Sequence, residues 1–376
     1  MLNLKRLTQP IGWVLMAGLI FAACAPTVID APGGQPTLTP VPIIQSTTTA
    51  APVVQPTITL APVTPPTAEA TLSDQQIATL NSLEKVDDFP LYTLHYYGSS
   101  VSSSTGLGAV NANLPRTWAC SLFAALGGTD KFYGRNFDWV DSPALLLFNH
   151  PTNGYASVSM VDLAYLGFGD RVNRLTELPI DQRQALLAAP ALPFDGMNER
   201  GLVVGMAAVP AGNMKLDPNK ETIDSLQAMR KMLDQAGSVA EAVAVLERYN
   251  IDWGSGPALH YLIADRSGQA ALVEFYQGKI QVMPNDKPWR LATNFLLSSV
   301  DGSATGQCPR YDKIDQRLAT TEGKIDAKEA MSLLGGVSQA NTQWSIVYGL
   351  STGDVSVTMG RQYSRAHIFH FDLRKE

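Results

Sequence analysis

Three residues whose types could do chemistry together sit on one stretch of chain: Cys120, Arg135 and Asp138. The run from Trp118 to Leu126 is almost wholly apolar, Gly127-Gly128 interrupts it, and an aromatic-rich run from Phe132 to Trp139 follows. Two strand-like runs around a Gly-Gly turn read as a β-hairpin. Folding back near residues 128 and 129 brings Asp138 beside Cys120, to within a residue of register. A thiol, a guanidinium and a carboxylate then meet at one end of two paired strands. The thiolate is the nucleophilic form of cysteine, and a neighbouring cation favours it. Arg135 and Asp138 are an odd number of residues apart, so a regular strand points them to opposite faces. Both can serve one site only where the strand bulges or ends between them. A lone cysteine is more often a small buried apolar residue than a nucleophile, so the case rests on what surrounds this one.

Cys120 followed by Gly134-Arg135-Asn136-Phe137-Asp138-Trp139 resembles the signature of the choloylglycine hydrolase group, the linear amide carbon–nitrogen hydrolases among the N-terminal-nucleophile (Ntn) hydrolases. Bile salt hydrolases, penicillin V acylases and acid ceramidase are of this group, and acyl-coenzyme A:6-aminopenicillanic acid acyltransferase is a relative. Further matches follow in order. Asp195-Gly196-Met197-Asn198-Glu199-Arg200-Gly201-Leu202 resembles the group's Gly-Met-Asn-Glu-x-Gly-Leu turn. The stretch from Leu259-His260 to Asp265-Arg266-Ser267-Gly268 resembles a family hairpin, and Thr293-Asn294 a family segment that supplies an oxyanion asparagine. Cys308-Pro309-Arg310-Tyr311 is similar to a segment of the acyltransferase branch, and Trp344-Ser345-Ile346-Val347-Tyr348 to a late core strand. Several motifs in the family's order weigh more than any one of them.

The resemblance implies a fold, a reaction and a set of roles. The fold is α+β, a four-layer αββα sandwich of the Ntn hydrolase type. The reaction begins with self-cleavage of the Ala119-Cys120 bond, after which Cys120 is both nucleophile, through its thiol, and base, through its freed α-amino group. A free α-amino group titrates at about 7.7–8.0, close enough to neutrality to exchange protons cheaply. The substrate implied is a small-molecule N-acyl amide, cleaved through a thioester on Cys120 without cofactor or metal. Asp138 would hold the new ammonium, Arg135 would sit over the thiol and the substrate carbonyl, Asn294 would donate to the oxyanion, and Arg310 would support the site. The chain departs from the bile salt hydrolases at Gly205-Met206-Ala207-Ala208-Val209-Pro210, where an asparagine is expected before the proline. A second oxyanion donor is therefore missing from the sequence reading. Acyl transfer through the same thioester, and a surface binding lipoprotein that keeps the fold without turnover, are the alternatives.

The rest of the chain bounds these readings. A formal net charge of −6 and the absence of any basic run beyond the start make nucleic acid an unexpected partner. Lys5 and Arg6 precede an apolar run from Ile11 to Ala23, short for a membrane span and suited to a signal sequence. That run ends Phe21-Ala22-Ala23-Cys24, which resembles a bacterial lipobox with Cys24 as the lipidated residue. Residues 1–24 are thus expected to be a lipoprotein signal peptide. Residues 25–73, rich in Pro, Thr, Ala and Val, are expected to be a disordered tether that holds the protein off the membrane. Residues 74–119 would be a segment preceding the cut, and 120–376 the catalytic domain. The expected location is outside the cytoplasm, on the bacterial envelope, with the lipid anchor as the only membrane contact; the oligomeric state is left open. A disulfide between Cys120 and Cys308 would block the nucleophile, so both are expected to remain thiols.

The elements that must position these residues are legible in part. Helices are expected over Asp74–Leu83, Ile180–Ala189 and Thr222–Gln235. Two more should start at Ser238 and Asp326, each followed three residues later by Glu in capping-box spacing. Strands are expected over Phe89–Tyr97, His260–Ala264, Ala270–Tyr276, Lys279–Met283, Gln343–Tyr348, Val355–Met359 and His367–Phe371. Paired helices between groups of strands suit helices packed outside two sheets.

Overall fold

In the computed structural model, residues 72–98, 119–169, 174–210, 212–254 and 256–374 are described. The signal and lipobox, the tether up to residue 71, and the Ser/Gly-rich stretch at 99–108 lie outside them. Helix α1 (Asp74–Asn81) opens on a capping box in which Ser73 and Gln76 satisfy each other's backbone N–H groups. Strands β1 (Glu84–Asp87) and β2 (Leu91–Gly98) follow. The hairpin comes next as β3 (Ala119–Ala125) and β4 (Phe132–Asp138). Four strands unmarked in the sequence reading succeed it: β5 (Ala144–Pro151), β6 (Ser157–Asp162), β7 (Asp195–Asn198) and β8 (Val203–Val209).

Between β6 and β7 the expected helix at 180–189 is a 3-10 helix, Ile180–Ala191. The expected helix at Thr222 starts three residues later. Thr222–Ile223 forms a short strand, β9, and Asp224 caps α2 (Ser225–Gln235) by accepting from the Leu226 and Gln227 N–H groups. Helix α3 (Val239–Glu247) is capped by Ser238, but Glu241 reaches back to the N–H of Gly237 rather than closing a box on Ser238. Then come β10 (Asn250–Ile251), β11 (Ala258–Ala264), β12 (Ala270–Tyr276), β13 (Lys279–Pro284) and β14 (Trp289–Ala292). Helix α4 (Pro309–Thr321) was not anticipated; Pro309 stands at its first position, where a missing N–H costs nothing. Helix α5 (Ala327–Gly336) opens on the predicted box of Asp326 with Glu329. Strands β15 (Thr342–Gly349), β16 (Asp354–Met359) and β17 (His367–His370) finish the chain.

The strands form two large sheets. One has nine strands in the order β1-β2-β5-β6-β7-β8-β11-β12-β13, and the other six in the order β14-β3-β4-β15-β16-β17. They pack face to face through a core that includes Cys120, Leu122, Tyr133 and Phe137 from the hairpin with Met197, Val203, Ala207 and Leu262 from the larger sheet. Helices α2 and α3 lie on the outer face of the nine-stranded sheet. Helices α4 and α5 cover the outer face of the six-stranded sheet, where Phe123, Ala125 and Phe132 meet Ile314, Leu318, Met331 and Leu334 in a second apolar cluster. The expected α+β, four-layer αββα arrangement is the one observed. No helix among the described residues is long and apolar enough to cross a membrane.

Candidate active site

The hairpin register is Ala119 with Asp138, Cys120 with Phe137 and Leu122 with Arg135. Side chains alternate along both strands, so Cys120, Leu122, Arg135 and Phe137 point into the space between the sheets, while Ala119, Ser121, Asn136 and Asp138 point toward α4 and α5. Arg135 therefore shares a face with the thiol and Asp138 does not, as their odd spacing requires. Strand β4 ends at Asp138, and its partner β15 bulges between Thr342 and Trp344 opposite that end. One site can still reach both groups, because the sulfur and the main-chain nitrogen of Cys120 lie in different directions. Its sulfur leaves on the side-chain face, where Arg135 lies. Its nitrogen lies in the strand, next to the residue paired with Asp138.

Cys120 is a free thiol, 2% exposed. Burial pushes its pKa up; Asp138's charge adds to that, while the Arg135 and Arg310 charges and a hydrogen bond from the Asp138 backbone pull the other way. Burial prevails, so the uncut chain holds a protonated thiol at neutrality. Cys308 is also fully buried, at the N-cap of α4. Cys120 is not bonded to it, so the candidate nucleophile is left unblocked.

The main chain of Cys120 is gripped on both sides. Its N–H donates to Asn294 Oδ1 at 2.7 Å, and its carbonyl oxygen accepts from Arg310 Nη1. Arg310 also donates to Ser121 Oγ at 2.8 Å and, through Nη2, to Asn294 Oδ1 at 2.9 Å. Two donors converge on the Asn294 oxygen, which fixes the amide orientation. Its Nδ2 donates to the Ala208 carbonyl at 2.9 Å, leaving the second N–H of that group for another acceptor. The Ala207-Ala208 segment thus contributes a backbone carbonyl where the sequence reading sought a side-chain donor. Asn294 follows β14, and Arg310 sits in the first turn of α4, so two elements far apart in sequence deliver both residues to the start of β3.

Arg135 is 1% exposed and donates to the Asp195 carboxylate and, at 3.1 Å, to the Met206 carbonyl. Asp195 also accepts from the Tyr348 hydroxyl at 2.5 Å and the Trp344 indole at 3.4 Å. Burial works against the Arg135 charge, but Asp195, Cys120 and Tyr133 together outweigh it and hold the guanidinium charged. Its plane lies 5.0 Å from the Phe137 ring centroid, which braces it toward Cys120. Asp138 is fully buried; its Oδ1 accepts from the Thr342 hydroxyl, and its Oδ2 has no hydrogen-bond partner among the described residues and lies 3.9 Å from Arg310. Burial pushes its pKa up to about 7, against the pull of Thr342 and the two arginines. An orphaned, half-ionised carboxylate beside the bond before Cys120 is suited to receive a cation there.

All five expected site residues, Cys120, Arg135, Asp138, Asn294 and Arg310, converge on this one place, and Ala119 with Cys120 forms the opening of β3. Sequence reasoning assigned no role to Asp195 or Thr342. Asp195 lay inside a quoted motif, as the residue before its glycine, whereas Thr342 had no local signal.

Residues 180–295 match the family model of the linear amide C-N hydrolases, choloylglycine hydrolase family. No curated protein matches in sequence. Among solved structures, a mutant of the conjugated bile acid hydrolase from Clostridium perfringens is 17% identical, with 68% of this chain and 92% of that one covered and a TM-score of 0.47. The penicillin V acylase from Agrobacterium tumefaciens is 16% identical, with 64% and 83% covered and a TM-score of 0.45. The family model bears out the motif resemblance, and with it the reaction class, hydrolysis of carbon–nitrogen bonds in linear amides.

Proposed function

We propose that this chain, which matches the linear amide C-N hydrolases of the choloylglycine hydrolase family over residues 180–295, is a self-processing hydrolase of that kind that acts through Cys120. The observation that carries the reading is the double grip on Cys120, its nitrogen on Asn294 and its carbonyl on Arg310, with Arg135 on the thiol's face. In the first step the Cys120 sulfur attacks the Ala119 carbonyl carbon. The thiol proton passes to the Cys120 nitrogen as the Ala119–Cys120 C–N bond breaks, leaving a thioester to Ala119. Water resolves that thioester, freeing the thiol and the α-amino group. The new ammonium forms beside Asp138, which supplies the counter-charge.

In the second activity the thiol gives its proton to the α-amino group and attacks the carbonyl of an N-acyl amide. Arg135 and the unused N–H of Asn294 favour the negative charge that develops. The ammonium then protonates the departing amine, and water hydrolyses the acyl thioester. Water is abundant outside the cytoplasm and acyl-coenzyme A is not, so hydrolysis is favoured over transfer to an amine.

Intact mass and N-terminal sequencing of the purified ectodomain, beside Cys120→Ala, test this. A fragment beginning at Cys120 in the wild type and absent from the variant is expected. A wild type that stays uncut and turns over no acyl amide would move the binding-lipoprotein reading to the front. The proposed location on the envelope rests on the Cys24 lipobox. Mass spectrometry of the N-terminal peptide from membranes should find a diacylglyceryl thioether on Cys24, and a Cys24 that is unmodified or held in a disulfide refutes the anchor.

A further inference from the structure

One buried histidine–carboxylate pair near the site takes no part in the proposed chemistry. The register that pairs Tyr261 with Val273 sets His260 of β11 opposite Glu274 of β12. His260 Nδ1 is 3.0 Å from Glu274 Oε1, and its Nε2 is 2.8 Å from the Thr293 carbonyl oxygen. The Thr293 carbonyl can only accept, so Nε2 carries the hydrogen between them, and Nδ1 and the Glu274 carboxyl share the other hydrogen bond. Glu274 is itself crowded with donors: the Leu297 N–H at 2.9 Å, the Ser298 N–H at 2.8 Å and the Ser298 hydroxyl at 2.6 Å. His260 is 1% exposed and Glu274 is fully buried.

Such a pair is a poor device for stability alone, since two apolar residues of like volume would usually do as well or better. What it does here is hold one segment from both ends. His260 fixes the Thr293 carbonyl, and Glu274 fixes residues 297 and 298. The Thr293 carbonyl shares a rigid peptide plane with the Asn294 nitrogen, so fixing one fixes the direction in which Asn294 leaves the chain. The hold also spans the two sheets: β11 and β12 belong to the nine-stranded one, whereas Thr293 directly follows β14 of the six-stranded one.

We infer that His260 and Glu274 are positioning residues: they clamp the segment 293–298 so that the Asn294 side chain meets the Cys120 nitrogen. The inference deepens the proposed function and rests on its reading of Asn294 as a site residue.

The test compares His260→Ala, His260→Gln and Leu80→Ala in the full chain, with thermal midpoints recorded for each. Leu80 is buried on α1, away from the site, and reports what loss of stability alone does. Two quantities are read: the first-order rate at which the fragment beginning at Cys120 appears, and, in an uncleavable Cys120→Ala background, hydrogen exchange at the residue 120 amide. His260→Ala should slow cleavage about 100-fold, the scale expected when a reacting group is misplaced by an ångström, and should speed exchange at that amide. Leu80→Ala should change cleavage little. His260→Gln, whose amide can still donate to the Thr293 carbonyl, should recover most of the rate. Exchange at residue 120 no faster in His260→Ala than in Leu80→Ala would overturn the inference. So would equal cleavage rates in those two chains. An uncut wild type defeats the proposed function instead, and the exchange comparison still decides the clamp.

Discussion

At the scale of single residues, the strongest handle is Asp138. Its carboxyl titrates near 7 in the folded, uncut chain because burial disfavours its charge, against about 3.9 when unfolded. A raised folded pKa means that the native state is favoured most below the unfolded value and loses that advantage as pH rises to about 7. Asp138→Asn, whose amide oxygen can still accept from Thr342, removes this dependence. Compared in a Cys120→Ala background so that neither chain is cut, the variant should gain on its parent between pH 4 and 7. The gain should approach about 4 kcal/mol at most, three pKa units at about 1.4 kcal/mol each. Urea unfolding at pH 4.5 and 7.5 measures it, and a difference that does not grow with pH would mean that Asp138 is stabilised as the anion. In a Cys120 background the same change should abolish productive processing, so stability and function would move in opposite directions at one position. Asp195 makes the reverse case. It neutralises a fully buried guanidinium, so Asp195→Ala strands that charge and should cost about 3–5 kcal/mol, again read by urea unfolding. A cost under 1 kcal/mol would show that the Met206 carbonyl and Phe137 suffice to hold Arg135. The five expected site residues were legible because each sits in a short motif. Asp195 and Thr342 were not, because their partners are far away in sequence and only the fold reveals them.

Elements decide what becomes of the chain that precedes the proposed cut at Cys120. Strand β2 lies inside the nine-stranded sheet, antiparallel to β1 and parallel to β5 over its whole length, from Leu91 beside Ala144 to Gly98 beside Pro151. Leu91, Tyr92 and Leu94 are wholly buried, and α1 packs against the same strand. Releasing this piece would expose those side chains and strand the edge of β5. The two fragments should therefore co-elute from a sizing column after processing and separate only in denaturant; separation in native buffer would show that β2 is held covalently alone. The same strands explain where sequence reading fell short. The core face of the hairpin, the capped helices and, apart from the short β14, the strands from 258 onward were legible from turns, caps and alternation. Strands β5 to β8 were not, because sheets buried on both faces lose polar alternation: β5 begins Ala-Leu-Leu-Leu-Phe with every residue buried. Helix α4 was hidden for another reason. Its opening Cys-Pro-Arg-Tyr offers no side-chain cap, so only the fixed backbone angle of Pro309 marks the start.

For the molecule as a whole, the site depends on how closely the two sheets approach. Their contact tightens where β8 passes over β3, and Gly205 is the residue that permits it. A Cβ there would lie 2.6 Å from the Tyr133 hydroxyl oxygen and 2.8 Å from Leu122 Cδ2. Tyr133 in turn donates across the gap to the Leu262 carbonyl at 2.9 Å, tying the sheets together at that spacing. Leu122 and Tyr133 share the inward face of the hairpin with Cys120 and Arg135, and the Met206 carbonyl that steadies Arg135 belongs to the residue after Gly205. A side chain at 205 must therefore push β8 away from the hairpin or turn Tyr133 off its acceptor, and either shift reaches Arg135 through one peptide unit. Gly205→Val should destabilise the fold by about 1–3 kcal/mol, the usual cost of overpacking a filled core, and should also slow the appearance of the fragment that begins at Cys120. Val203→Ala supplies the contrast, because it loosens the same buried strand without adding volume between the sheets. If both variants lose similar stability and only Gly205→Val processes slowly, the spacing of the layers is what aligns the thiol with its arginine. Equal processing in the two would place that alignment within the hairpin itself, independent of the sheet packed over it.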